Sequence, residues 1–128
     1  LDLPRHDTVA AMKSADVLLF LSNIEASPLV LFEAAAAQLP FISTNAGNSE
    51  EIARWTKGGL IVKTDPDKEV LGQVIARTDS AVKLLLRLRL NKRLRRQLGE
   101  NGRRAWQEKF TWKKITDRYL KLYEEVLR

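Results

Sequence analysis

Residues 15–52 read ADVLLFLSNIEASPLVLFEAAAAQLPFISTNAGNSEEI, and the order of apolar and polar letters here decides the fold. Val17 to Leu21 is an unbroken apolar run closed by Ser22 and Asn23. A strand covered on both faces needs such a run, and strands of that kind belong to parallel sheets. Ser27 and Pro28 then open a helix. Serine is a favoured N-cap, and proline suits the first helical position because its absent N–H is not needed there. The helix from Leu29 to about Gln38 is alanine-rich and slender, so it can lie close against a sheet. Pro40 introduces a second strand at 41–44, and Asn48 with Glu51 has the spacing of a capping box for a helix to about Trp55. Gly58-Gly59 ends that helix, and a third strand follows at 60–62.

Outward from this stretch, Asp7 is placed to cap a short helix that ends near Ser14. For residues 63–78 two readings stay open. Asp65-Pro66-Asp67 favours a helix through Ile75, while the β-branched residues and Gly72 favour an irregular excursion. From Asp79 the pattern is helical: Asp79-Ser80 caps a helix to about Leu90, Asn91 interrupts it, and another helix runs to about Phe110. Thr111 caps the last, whose Trp112, Ile115, Tyr119, Leu122 and Val126 form one apolar stripe. The expected fold is α/β with a right-handed parallel sheet of about three strands (17–21, 41–44, 60–62). Residues 1–78 form its βαβ part, and 79–128 a helical segment of the same domain.

The 128 residues suit one domain, and no apolar run approaches a membrane span or follows a signal-peptide pattern. There is no cysteine, which excludes disulfides, thiol nucleophiles and cysteine-based metal sites. A cytoplasmic protein is expected, with contact at a membrane surface left open. Charge is uneven: 7 basic and 10 acidic residues lie in 1–78, against 15 and 6 in 79–128. A basic half raises nucleic acid or anionic lipid as partners, or simply a helical face in water. No aromatic residue lies between Lys83 and Arg104, so nucleic acid is not expected.

In open parallel sheets ligands bind beyond the carboxyl ends of the strands, which singles out residues 22–27, 45–47 and the segment from Lys63. The first loop sets Glu25 after a strand and leads into a helix start. There the Leu29 and Val30 amides have no acceptor within the helix and favour a phosphate. Glu33, about one and a half turns on, has a carboxylate that suits the vicinal diol of a ribose. Such a loop fits a nucleotide sugar.

Residues 15–52 resemble the donor-binding segment of retaining glycosyltransferases of the GT-B fold, the family-4 or group 1 type. These read A-D-V, a strand, S-x-x-E-G-x-P-L-V-x-x-E-A-x-A-x-G-x-P, a second strand, and T-x-x-G-G-x-x-E-I. The likeness continues through GGLIV (58–62), LRRQLGENGRRAW (94–106) and KFTWKKITDRYLKLYEEVL (109–127). It implies half of a Rossmann-like sheet and transfer of a sugar from a nucleoside-diphosphate sugar with retention, without metal or cofactor. By resemblance, Glu25 contacts donor-sugar hydroxyls near the anomeric centre and counts as the catalytic candidate. Ala26 and Ser27 approach the sugar, Leu29 and Val30 hold the diphosphate region, and Glu33 binds the ribose. Three departures stand out: Ala26, Gln38 and Asn48 each occupy a position where the family has glycine.

The resemblance also implies partners outside these residues. Acceptor contacts come from an N-terminal domain, and a diphosphate-neutralising arginine and lysine come from the first half of the C-terminal domain. A chain without both is expected to be inactive alone. Arg5 lies in the wrong segment to replace that pair, and lone His6 reads as a surface residue. The Val17–Leu21 strand is expected to be an open edge prone to self-association. The last helix either packs on its own sheet or crosses towards the N-terminal domain. Two other functions stay in play: a basic helical module for nucleic acid or anionic membrane, and a non-catalytic interaction domain that keeps a nucleotide-binding fold.

Overall fold

The computed structural model describes residues 3–128. Helix α1 (Arg5–Ser14) precedes strand β1 (Leu18–Phe20), then come α2 (Leu29–Ala36), β2 (Phe41–Ser43), α3 (Ser49–Thr56) and β3 (Gly59–Ile61). The three strands are parallel in the order β1-β2-β3, with Leu18, Phe41 and Gly59 in one row. Side chains alternate between the two sheet faces. On one face Phe41 packs with Leu31, Ala34 and Ile52 of α2 and α3, and with Leu18 and Phe20. On the other, Ile42 and Val62 meet Ala81 and Leu88 of α4 (Thr78–Leu90) and Leu98 of α5 (Lys92–Ala105). β2 is buried throughout, its polar Ser43 included, whose hydroxyl donates to Thr44 O at 2.9 Å. β1 pairs only with β2, and Leu19 is 45% exposed.

Residues 64–76 are neither a helix nor irregular. They form a small antiparallel arm, β4 (Thr64–Pro66) against β5 (Val74–Ala76). Asp67 Oδ1 accepts from the Glu69 and Val70 amides, and Gly72 turns the chain with φ 84°. Pro66 is tolerated because this is an edge strand.

Several expected caps do not form. α1 begins at Arg5, so Asp7 lies inside its first turn. Pro28 occupies the N-cap of α2, and with no polar side chain it makes no cap; Ser27 stands one residue too early. Asn48 is the N-cap of α3 without a side-chain hydrogen bond, and Glu51 turns instead to Arg54 at 3.7 Å. α4 begins at Thr78, and Asp79 pairs with Arg77 at 3.3 Å. Asn91 both interrupts and caps: its side chain accepts from Leu94 N at 2.9 Å. Thr111 caps α6 (Trp112–Val126) through Lys114 N at 3.3 Å. Between α5 and α6, residues Trp106–Phe110 form a π-helical turn, so the α-helix stops earlier than the sequence suggests. Helix α6 has no buried residue, and its Leu122 and Val126 stand exposed.

α5 crosses beneath the amino ends of β2 and β3. Gly99 lies against the Gln38 carbonyl, and a Cβ on Gly102 would sit 3.4 Å from the Ala35 Cα. Gln38 itself holds φ 61°, the conformation for which glycine is the natural choice at a helix end. Gln38→Gly is therefore expected to stabilise the fold by about 0.5–1 kcal/mol, the left-handed cost less glycine's extra entropy. Urea titration checks this, and an unchanged midpoint would contradict it.

Candidate functional site

The loop 22–27 leaves the carboxyl end of β1 and is held by its own carbonyls. The Thr44 hydroxyl donates to Ser22 O at 2.5 Å, Val74 N–H to Asn23 O at 2.9 Å, and Asn48 N–H to Ala26 O at 3.1 Å. Ser22 closes a local turn by donating to Ile24 O at 3.1 Å. The anchors thus come from the end of β2, the β4–β5 arm and the start of α3. A second tie runs from the Thr64 hydroxyl to Asn45 Oδ1 at 2.7 Å, so the arm spans both loops at this end of the sheet.

Gly47 fits this arrangement for two reasons. Its φ is 55°, and a Cβ there would lie 2.5 Å from the carbonyl oxygens of both Glu25 and Ala26. The backbone of loop 22–27 therefore rests on bare glycine. Ala26 and Asn48 differ from Gly47. Among the described residues only Gln38 and Lys57 combine a side chain with positive φ, so alanine and asparagine fit at 26 and 48 without backbone strain. Asn48 Oδ1 is buried and has no hydrogen-bond partner in the structure.

The candidate residues occupy different surroundings. Glu25 is half-buried, Ala26, Ser27 and Leu29 are exposed, and Val30 packs partly into the core. Leu31 N–H donates back to Pro28 O at 3.2 Å, whereas the Leu29 and Val30 amides lie in the first turn, where the helix supplies no acceptor. Ser27, Leu29 and Glu33 border a groove of about 560 Å³ between α1, α2 and α6; Glu25 does not. Apolar side chains line much of it, Met12, Phe32, Trp106 and Tyr119 among them.

Glu33 has a partner that the sequence did not reveal. Arg5 Nη1 lies 2.8 Å from Glu33 Oε1, with the Glu33 side chain 34% exposed. The start of α1 thus meets the middle of α2 on the rim of the groove. A carboxylate has about four acceptor sites, so this ion pair leaves capacity for sugar hydroxyls. Among the described residues, no group of three or more His, Asp or Glu side chains could hold a metal ion. Among the described residues, no helix is long and apolar enough to cross a membrane.

The family model for glycosyl transferases group 1 matches residues 1–105. The chain belongs to this family. Among curated relatives, the N-acetyl-alpha-D-glucosaminyl L-malate synthase of Bacillus anthracis is 32% identical over 127 residues, covering 98% of this chain and 30% of that protein. The MMP alpha-(1->4)-mannosyltransferase of Mycolicibacterium hassiacum is 29% identical, covering 98% and 28%. Among solved structures, sucrose-phosphate synthase from Thermosynechococcus elongatus superposes with a TM-score of 0.79 at 24% identity, over 99% of this chain and 29% of that one. The glycosyltransferase WaaG, involved in lipopolysaccharide biosynthesis, gives 0.63 at 27% identity, over 78% and 24%. This group 1 chain spans 28–31% of the length of the curated relatives it matches. The three parallel strands and flanking helices take the Rossmann-like fold of the matching part of sucrose-phosphate synthase.

Proposed function

We propose that this chain carries the donor half-site of a retaining glycosyltransferase that uses a nucleoside-diphosphate sugar. The observation that carries the reading is the loop 22–27, fastened by three neighbouring elements and leading directly into the start of α2. Glu25 accepts donor-sugar hydroxyls, with the backbone of Ala26 and Ser27 close to the ring. The Leu29 and Val30 amides, at the positive end of the α2 dipole, face the diphosphate as it takes up negative charge. Glu33 receives the ribose diol while Arg5 fixes its other acceptor sites. On this reading the enzyme acts in the cytoplasm without a cofactor. Further cations for the diphosphate, and the acceptor site, come from outside these residues.

Two measurements test the reading. In the complete enzyme, Glu33→Ala is expected to weaken binding of the nucleotide portion about 10–100-fold, as loss of charge-assisted hydrogen bonds implies. Titration of UDP-, GDP- and ADP-sugars followed by calorimetry gives the values and identifies the nucleobase. Unaltered affinity for the accepted donor would remove Glu33 from the site. The 128-residue chain alone is expected to transfer no sugar, and any turnover would overturn the half-site reading.

A further inference from the structure

α4 carries an apolar stripe on the side turned away from the core. Its inner face, Ala81, Leu84 and Leu88, packs on the sheet. On the outer face Val82, Leu86 and Leu90 follow at four-residue spacing and are 49%, 45% and 82% exposed. Lys83 and Arg87 lie one position further round the helix on one side of this stripe, with Leu85 and Arg89 on the other. Lys92 and Arg93 follow at the start of α5, both exposed. From Ser80 to Gly99 there is no acidic residue and there are seven basic ones. Arg95 pairs with Asp16 at 3.4 Å and Arg96 with Glu100 at 2.7 Å, which leaves Lys83, Arg87, Arg89, Lys92 and Arg93 to face a partner. Asp79, the nearest carboxylate before them, is already paired with Arg77 at 3.3 Å.

We propose that the outer face of α4 and the start of α5 dock this protein on an anionic lipid bilayer. A helix lying in the interface needs exposed leucines to enter the acyl boundary and cations at their flanks for the headgroups, and α4 supplies both. Nucleic acid fits the same cations less well. A phosphate backbone has no use for a central stripe of leucines, and aromatic residues on which bases could stack are absent from Lys83 to Arg104. The proposal is independent of the donor-site reading, because neither Glu25 nor Glu33 takes part.

The test is co-sedimentation of the full chain with vesicles of phosphatidylcholine alone and of phosphatidylcholine mixed equally with phosphatidylglycerol. Binding is expected only to the anionic vesicles, falling at least tenfold from low to high salt. Leu86→Gln with Leu90→Gln is expected to weaken it about tenfold or more, as is Arg87→Gln with Arg89→Gln. Leu122→Gln, on the exposed stripe of α6, is expected to leave it unchanged. Circular dichroism shows that each variant folds. Equal binding to both vesicle types, or binding insensitive to the α4 leucines, would overturn the proposal. So would binding to RNA but not to vesicles, or a dimer in sedimentation velocity that Leu86→Gln dissolves while no vesicle binds.

Discussion

Gly47→Ala is expected to destabilise the fold by about 3 kcal/mol, more than its single methyl group suggests. Two costs combine. A side chain in the left-handed region costs about 1–2 kcal/mol, and overpacking adds about 1–3 kcal/mol. The added carbon would lie 2.5 Å from two backbone oxygens, and backbone yields less readily than the end of a flexible side chain. Gly72→Ala is the natural control. Gly72 also has positive φ, 84°, but nothing lies within 4 Å of the added carbon. Only the first cost applies there. Urea denaturation of both variants should show a clearly larger midpoint shift for Gly47→Ala. Equal shifts would mean that loop 22–27 does not rest on that glycine. Since the oxygens in question belong to Glu25 and Ala26, the proposed donor-site reading adds that the same substitution disturbs donor binding.

Phe41→Ala is expected to cost about 3–5 kcal/mol, the range for removing a buried aromatic ring. Phe41 is fully buried in β2, its ring against Gly59 of β3 and among Leu31, Ala34 and Ile52, so its removal opens a cavity at the centre of that cluster. A loss of this size is a large part of the roughly 5–15 kcal/mol that keeps a domain folded. If Phe41→Ala does not fold, Phe41→Leu gives the measurable step, at about 1.5 kcal/mol or less. Leu122→Ala on exposed α6 should cost under about 0.5 kcal/mol. Comparable losses at 41 and 122 would contradict the placement of the core.

The parts of the fold legible in the sequence are those set by burial. The run 17–21 and Phe41-Ile42 mark their strands locally, because helices cover both faces of β2; β1, beside it at the edge, keeps Leu19 partly in solvent. Caps were less legible, since the fit turns on one residue of phase. Ser27 has the right chemistry, but the helix starts a residue later and leaves Pro28 in the capping position. The β4–β5 arm was illegible for another reason. Its support comes from Asn23 and Asn45, far away along the chain, and its three-residue strands have little pattern of their own. Within the candidate site, Glu25, Glu33 and the α2 start follow from position relative to β1. The Arg5 contact with Glu33 depends on how α1 lies beside α2, and no spacing rule predicts it.

The close passage of α5 beneath the strands bears on protein engineering. Gly99 and Gly102 bring its backbone against Gln38, Ala35 and Gly58, all in the segment that carries loop 22–27. Chimeras between group 1 enzymes that exchange residues 15–62 but retain a foreign α5 with a side chain at position 99 would press its Cβ on the Gln38 carbonyl oxygen. A crossover placed after Ala105 keeps both halves of that contact from one parent, whereas one at Arg77 divides them.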